Sequence, residues 1–172
     1  FFMPNIEKLK KRKDIDALVL CMKHRKPVIR YRAFMALAYM PGLSDEVVDR
    51  MKTRLYDSDE NVRTVATLKF VGLGEEIRAE NLRELITGAA RRDKIDLLRI
   101  IAGRGANIDD VILEAIVLAL ADRKPIVRLE AIKTAGAVQS PHLVANLAPF
   151  LRSQHALVRS ELVLALGKIA DE

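Results

Sequence analysis

The 172-residue chain carries 29 Lys or Arg against 23 Asp or Glu, a formal charge of +6, and is 50% hydrophobic with 5% aromatic residues and no Trp. Its length admits one compact domain or a short repeat array, and a globule of this size buries roughly 70% of its unfolded surface without needing disulfides or metal. No apolar run approaches the ~20 residues of a membrane-spanning helix, and a single cysteine excludes an intramolecular disulfide.

At the N-terminus "FFM" is too short for a signal-peptide core. Met3-Pro4 reads as a natural start, with Phe1 and Phe2 left from a tag. The tract "KLKKRK" (8–13) holds five of the 29 basic residues, and without it the balance is 24 basic to 23 acidic. It is either a local anchor for an acidic partner or a solvated N-terminal helix or tail. Cys21 follows in the apolar context "IDALVLCMK", as a small buried hydrophobe in a protein of the reducing cytoplasm.

The phrase "RKPVIRYRAFMALAYM" (25–40) returns as "RKPIVRLEAIKTAGAV" (123–138). An aliphatic residue followed by Arg stands at Ile29-Arg30, Val62-Arg63, Val127-Arg128 and Val158-Arg159. The double gap between the second and third of these predicts a further copy at Ile95-Asp96, giving steps of 33, 33, 32 and 31 residues. From each aliphatic anchor the apolar residues keep helical spacing, as in Ile29, Ala33, Leu37 and Val62, Ala66, Phe70. Pro27 and Pro125 suit a helix's first turn, and "DSDEN" (57–61) supplies capping chemistry at the same place. Upstream of each anchor lies a second amphipathic segment: "DIDALVLCMK", "SDEVVDRMKTRLY", "AENLRELITGAA", "DDVILEAIVLALA" and "SPHLVANLAPFLR". Ser44, Asp109 and Ser140 are their candidate N-caps. No segment alternates with a strand's period of two. The pattern predicts an all-α single domain of five helix–turn–helix units, at 14–41, 44–74, 78–105, 108–138 and 140–172, after a basic segment 1–13. One helix pair cannot bury its own apolar face, so neighbours stack.

Units opening their second helix with "P-x-aliphatic-Arg-x-x-Ala" and closing it with "AxxALG" resemble the HEAT-repeat family, in its short-repeat branch similar to bilin-lyase-type proteins. The match is strongest over "HALVRSELVLALGKIADE" (155–172) and extends back to about residue 14. The resemblance implies an α-α superhelix, or solenoid, of about five pairs. It also implies a ladder between units, built from an Asp six positions before the Arg. Asp57 with Arg63 and Asp122 with Arg128 have that spacing; His24, Ala90 and Ser153 replace the Asp elsewhere.

Convergent catalytic chemistry is not visible. His24, His142 and His155 fall in different units without metal-ligand spacing, and neither HExxH nor CxxC occurs. The His-Glu pairs of HEAT-like iron hydroxylases and the Trp of HEAT-like glycosylases are missing. "GRGAN" (103–107) and "GLGEE" (72–76) follow helices and read as helix stops. The sequence therefore predicts a non-enzymatic protein with no catalytic, metal or cofactor site, an auxiliary lyase-like role being the enzymatic alternative.

Two surfaces are candidates for binding. Pairs of this family present their second helices on a concave face, where the positions one and five beyond the anchor arginine hold Tyr31 and Met35, Thr64 and Leu68, Leu97 and Ile101, Leu129 and Lys133, Ser160 and Leu164. These form either an apolar stripe for a protein partner's helix or extended peptide or surface buried by curvature. The turns carry basic pairs, Arg25-Lys26, Arg91-Arg92 and Arg123-Lys124, interrupted at Ser58-Asp59 and Gln154-His155. A rim of this kind suits an acidic protein or nucleic-acid phosphates. "LVLALGKIADE" ends on an interior-type helix, so either the chain continues or that face meets another subunit end to end. The leading function is a protein-binding scaffold; the alternative is nucleic-acid binding through the tract and the rim.

Overall fold

A computed structural model describes residues 4–170. Phe1, Phe2 and Met3, read above as tag remnant and start, lie outside them. Eleven α-helices and no strand occur among the described residues, and the chain divides into two compact units, Phe1–Phe70 and Val71–Glu172.

In the first unit α1 (Ile6–Arg12) begins at Asn5, whose side chain accepts the Lys8 N–H at 2.9 Å, and ends on Lys13 in the left-handed region. The basic tract is thus mostly helix: Ile6 is buried, while Lys8, Lys10, Lys11, Arg12 and Lys13 are exposed. α1 packs on α2 (Ile15–Cys21) and α3 (Pro27–Ala38). Asp14 caps α2, and Pro27 opens α3 where no N–H is required. Cys21 is buried, and burial followed by the Asp14 charge pushes its thiol pKa up, away from the reactive thiolate. The second pair is α4 (Asp45–Lys52), capped by Ser44 and extended by a 3-10 turn, and α5 (Glu60–Gly72), whose first turn Asp59 caps. Phe34 and Phe70 meet edge to face at 6.4 Å in the core.

The second unit comprises α6 (Ala79–Gly88) with α7 (Arg91–Arg104), α8 (Asp110–Leu120) with α9 (Pro125–Val138), and α10 (Val144–Leu147) with α11 (Ala156–Ala170). First helix packs on first helix, α6 on α8, and second on second, α7 on α9 and α9 on α11. Asp109 caps α8 as expected, but Ser140 makes no side-chain cap. The segment "SPHLVANLAPFLR" is not one helix: α10 is a single turn between 3-10 stretches at Pro141–Leu143 and Ala148–Arg152. Pro149 cannot donate to the carbonyl four residues back, which ends regular α geometry there.

The third repeat has a different register from the one its sequence suggested. In the first, second and fourth repeats the residues three, four and seven beyond the cation are Ala33, Phe34, Leu37; Ala66, Thr67, Phe70; and Ala131, Ile132, Ala135, all buried. In α7 the equivalent buried residues are Leu97, Leu98 and Ile101, which makes Lys94, not Asp96, the counterpart of the arginines. The cations therefore stand at 30, 63, 94, 128 and 159. Asp93 takes the place of the aliphatic anchor, and Ile95 imitated that anchor two residues late.

Small residues set how closely α9 and α11 approach. A Cβ built on Gly136 would lie 2.7 Å from the Ala165 Cα, whereas one on Gly103 of α7 meets nothing within 4 Å. Gly136→Ala is expected to lower stability by about 1–3 kcal/mol through overpacking, despite alanine's better helix propensity. Gly103→Ala should instead gain a few tenths to about 1 kcal/mol. Urea titration of both variants checks the pair, and a stabilised Gly136→Ala protein would refute the close approach.

Candidate functional site

Four of the five turns between paired helices share one device. A side-chain acceptor takes the N–H two residues on: His24 from Lys26 at 3.0 Å, Asp57 from Asp59 at 3.0 Å, Asp122 from Lys124 at 2.7 Å and Ser153 from His155 at 3.3 Å. The cation of the following helix donates back to the same turn's carbonyl, Arg30 to His24, Arg63 to Asp57, Arg128 to Asp122 and Arg159 to Ser153, at 2.6–3.0 Å. Lys94 reaches the Thr87 carbonyl at 3.2 Å. The histidine and serine that replace Asp thus keep the turn closed. His24 is half-buried in its turn, and His142 and His155 are exposed. Among the described residues no His, Cys, Asp and Glu group has the makings of a metal site.

Only the aspartates also bind the preceding repeat. Asp57 receives Arg30 through Nε at 2.9 Å and Nη2 at 2.5 Å, with Arg54 adding 3.1 Å; Asp122 receives Lys94 at 2.7 Å. The carboxylate partners are therefore Arg30 and Lys94, while Arg63 and Arg128 serve the turn carbonyls. Burial alone would raise the Asp57 carboxyl, but hydrogen bonds from Arg30 and the Asp59 N–H and the charges of Arg30 and Arg54 outweigh it and hold the pKa below the usual range. Asp122 is lowered against burial in the same way by Lys94, the Lys124 N–H and Arg128. Asp93 shows the converse: burial, then Asp96, raises its carboxyl against the pull of Arg92.

The second-helix face is mixed. Tyr31 and Met35 on α3, Leu68 on α5 and Leu129 on α9 are half-buried; Lys133 on α9 and Leu164 on α11 are exposed, Leu164 to 58%. Thr64 is buried and Ser160 exposed. Leu97 and Ile101 are core residues and cannot line a surface; the shifted register puts Ile95 and Arg99 in their place. Sequence reading missed the charge pairing here. Arg99 of α7 meets Glu130 of α9 at 3.1 Å, and Lys133 of α9 meets Glu161 of α11 at 3.8 Å. Arg83 of α6 pairs with Glu114 of α8 on the first helices. Steps of 28 and 31 residues between opposite charges were the available signal.

Two hollows lie on second helices. In the first unit a cleft of about 680 Å³ runs between α1 and α3, lined by residues that include Ile6, Lys10, Tyr31, Arg32, Met35 and Tyr39. In the second a depression of about 250 Å³ between α9 and α11 is lined by Lys133, Gly136, Glu161, Leu164, Ala165 and Lys168. The basic pairs Arg25-Lys26, Arg91-Arg92 and Arg123-Lys124 are all exposed. Arg91 and Arg92 belong to the first turn of α7, however, whereas Lys26 and Lys124 precede their helices as N-caps, so the three pairs are not equivalent.

The family model described as HEAT repeats matches residues 113–172, which contain most of α8 and all of α9–α11. This segment is similar to HEAT repeats. The first two helix pairs carry the same turn device, closed by His24 and Asp57, and solved helical-repeat structures match nearly the whole chain. Two engineered proteins have TM-scores of 0.61 and 0.59 at 19% and 17% identity, covering 98% and 96% of this chain and 87% and 83% of theirs. A designed armadillo repeat protein in complex with the peptide (KR)4 has a TM-score of 0.58 at 16% identity, covering 95% of this chain and 85% of that one. No curated protein matches the sequence. The fold class is accordingly an all-α helical-repeat solenoid, and no helix among the described residues is long and apolar enough to cross a membrane.

Asp57, whose side chain is 2% exposed, tests the ladder between repeats. Asp57→Asn keeps an acceptor for the turn but strands Arg30, and should cost roughly 3–5 kcal/mol. Because the folded pKa values of Asp57 and Asp122 are lowered, their contribution is present above the ordinary carboxylate value of about 3.9 and is lost as pH falls through the folded values. The wild-type urea midpoint should therefore drop on acidification, and less so in Asp57→Asn and Asp122→Asn. Asp93 runs the other way, its raised pKa costing stability above that value. Asp93→Val should gain about 1 kcal/mol at neutral pH, the apolar burial exceeding the loss of a helix-N-terminal carboxylate.

Proposed function

We propose that the chain is a non-enzymatic adaptor that binds a partner protein along its second helices. The observation that carries this reading is that both hollows, one in each unit, open on second helices and contain residues from the expected binding set: Tyr31 and Met35 in one, Lys133 and Leu164 in the other. Half-buried aliphatic groups beside charged side chains suit an amphipathic or extended peptide, which supplies an apolar anchor and polar flanks. The designed armadillo protein that shares the fold is itself a peptide complex, which supports peptide as the ligand class. Its (KR)4 ligand does not transfer, because a cationic peptide would meet a first unit with 15 Lys or Arg against 9 Asp or Glu.

Leu164 is the probe of choice, since its exposure lets it be changed without emptying the core. A photo-crosslinking residue at position 164 should capture the protein partner, and one at exposed Leu20, on a first helix, should not. Leu164→Asp should weaken binding by about tenfold or more with unchanged thermal melting. Equal crosslinking from both positions would reject the second-helix assignment.

A further inference from the structure

We infer that the cleft between α1 and α3 docks a short acidic segment of a partner protein, held by one apolar side chain. The inference deepens the reading above by giving that partner a chemistry, and it rests on three observations confined to the first unit. The cleft is lined by the half-buried Met35 and Tyr31 and by a Tyr39 that is 75% exposed, with the buried Ile6, Ile29 and Ala36 as its apolar backing. Its volume, about 680 Å³, is within the roughly 300–1,000 Å³ of ligand pockets. Tyrosine supplies contact area with a polar tip, the mixture expected where an apolar side chain enters and its backbone stays wet.

The second observation is unspent positive charge. Arg30, Arg54, Lys94, Arg83, Arg99 and Lys133 all reach carboxylates. Lys10 and Arg32, which line the cleft, are exposed and have no ion-pair partner among the described residues, and Glu7 is the one carboxylate in the lining. The third is where the net charge sits. The first unit holds 15 basic and 9 acidic residues and the second 14 of each, so the whole excess belongs to the unit that carries the cleft, with α1 as its densest part. That field attracts an acidic segment to this end of the chain. Single-stranded nucleic acid is the weaker fit. Stacking of successive bases calls for several open aromatic platforms, whereas Tyr39 is the single exposed aromatic in the lining and Tyr31 is half-buried.

Panning a phage-displayed library of random peptides on the full chain, then titrating the enriched peptides by fluorescence polarisation, tests this. The expected consensus is Asp- and Glu-rich around a single Leu, Ile, Met or Phe. Affinity should fall by about tenfold or more in Lys10→Glu/Arg32→Glu and in Tyr39→Ala, all exposed positions whose folding circular dichroism verifies, and should stay within about twofold in Leu20→Gln, an exposed first-helix position outside both hollows. Enriched peptides that bind the cleft variants normally but lose affinity in Leu164→Asp would overturn the cleft while leaving the second-helix reading intact. A neutral or basic consensus, or no enrichment at all, would also overturn it. So would fluorescein-labelled dT20 binding more tightly than every peptide with a loss in Lys10→Glu/Arg32→Glu, which would assign the cleft to nucleic acid.

Discussion

Each second helix starts on a cation that is tied to the turn it has just left. Arg30, Arg63, Arg128 and Arg159 donate to a carbonyl six residues back, and Lys94 to one seven back. A helix N-terminus repels positive charge through its own partial charge, so a cation is retained there only when carbonyls or carboxylates reward it. The bond fixes the angle between the two helices of a pair and so decides which residues face the core. Leu97 and Ile101 are buried because Lys94 makes this bond; had Asp96 been the pivot, α7 would have turned by roughly two residues, or about 200°.

The turn does two jobs, and they can be separated. Closing the turn requires only an acceptor, which imidazole, hydroxyl and carboxylate all supply, as His24, Ser153 and Asp57 show. Holding the preceding repeat requires a negative charge that a buried cation can meet, and only Asp57 and Asp122 provide it. Burial makes that second job demanding, since two desolvated charges are tolerable only when fully hydrogen-bonded. Asp57 meets the requirement with two guanidiniums and a backbone N–H. Packing and exposed charge pairs carry the other junction seen within the second unit, between α9 and α11: Gly136 lies against Ala165, Gln139 donates to the Lys168 carbonyl at 3.0 Å, and Lys133 meets Glu161.

The helical-repeat class was legible because four of five copies keep an aliphatic-Arg pair ahead of a period that only a helix satisfies. The third copy was misread for a local reason: Asp93 and Lys94 replace both letters of the pair, and Ile95 supplied a false one. Comparing the whole core set would have corrected it, since Lys94, Leu97, Leu98 and Ile101 have the spacing of Arg30, Ala33, Phe34 and Leu37. The broken first helix of the last repeat was written in Pro149, an interior proline that amphipathic spacing had overridden. Register alone placed Tyr31, Met35, Lys133 and Leu164 outside the core, where the structure also has them. The cleft itself was not legible, because it depends on where α1 folds back, and nothing in "KLKKRK" specifies a neighbour.

That fold-back changes what the basic tract is for. A free tail of this composition would be solvated on all sides and would attract any polyanion equally. Bound as α1 through Ile6 and the half-buried Leu9, it presents Lys10 to an apolar hollow. In the proposed docking, charge would act together with shape: the electrostatic field would gather acidic chains, and the aliphatic lining would retain those with a side chain to bury. The difference between tract and site lies in one buried isoleucine and the Asn5 cap that starts its helix. Loss of either would return the same charges to an indiscriminate tail, which is why the specificity of this end of the molecule belongs to the packing of α1 rather than to its charge.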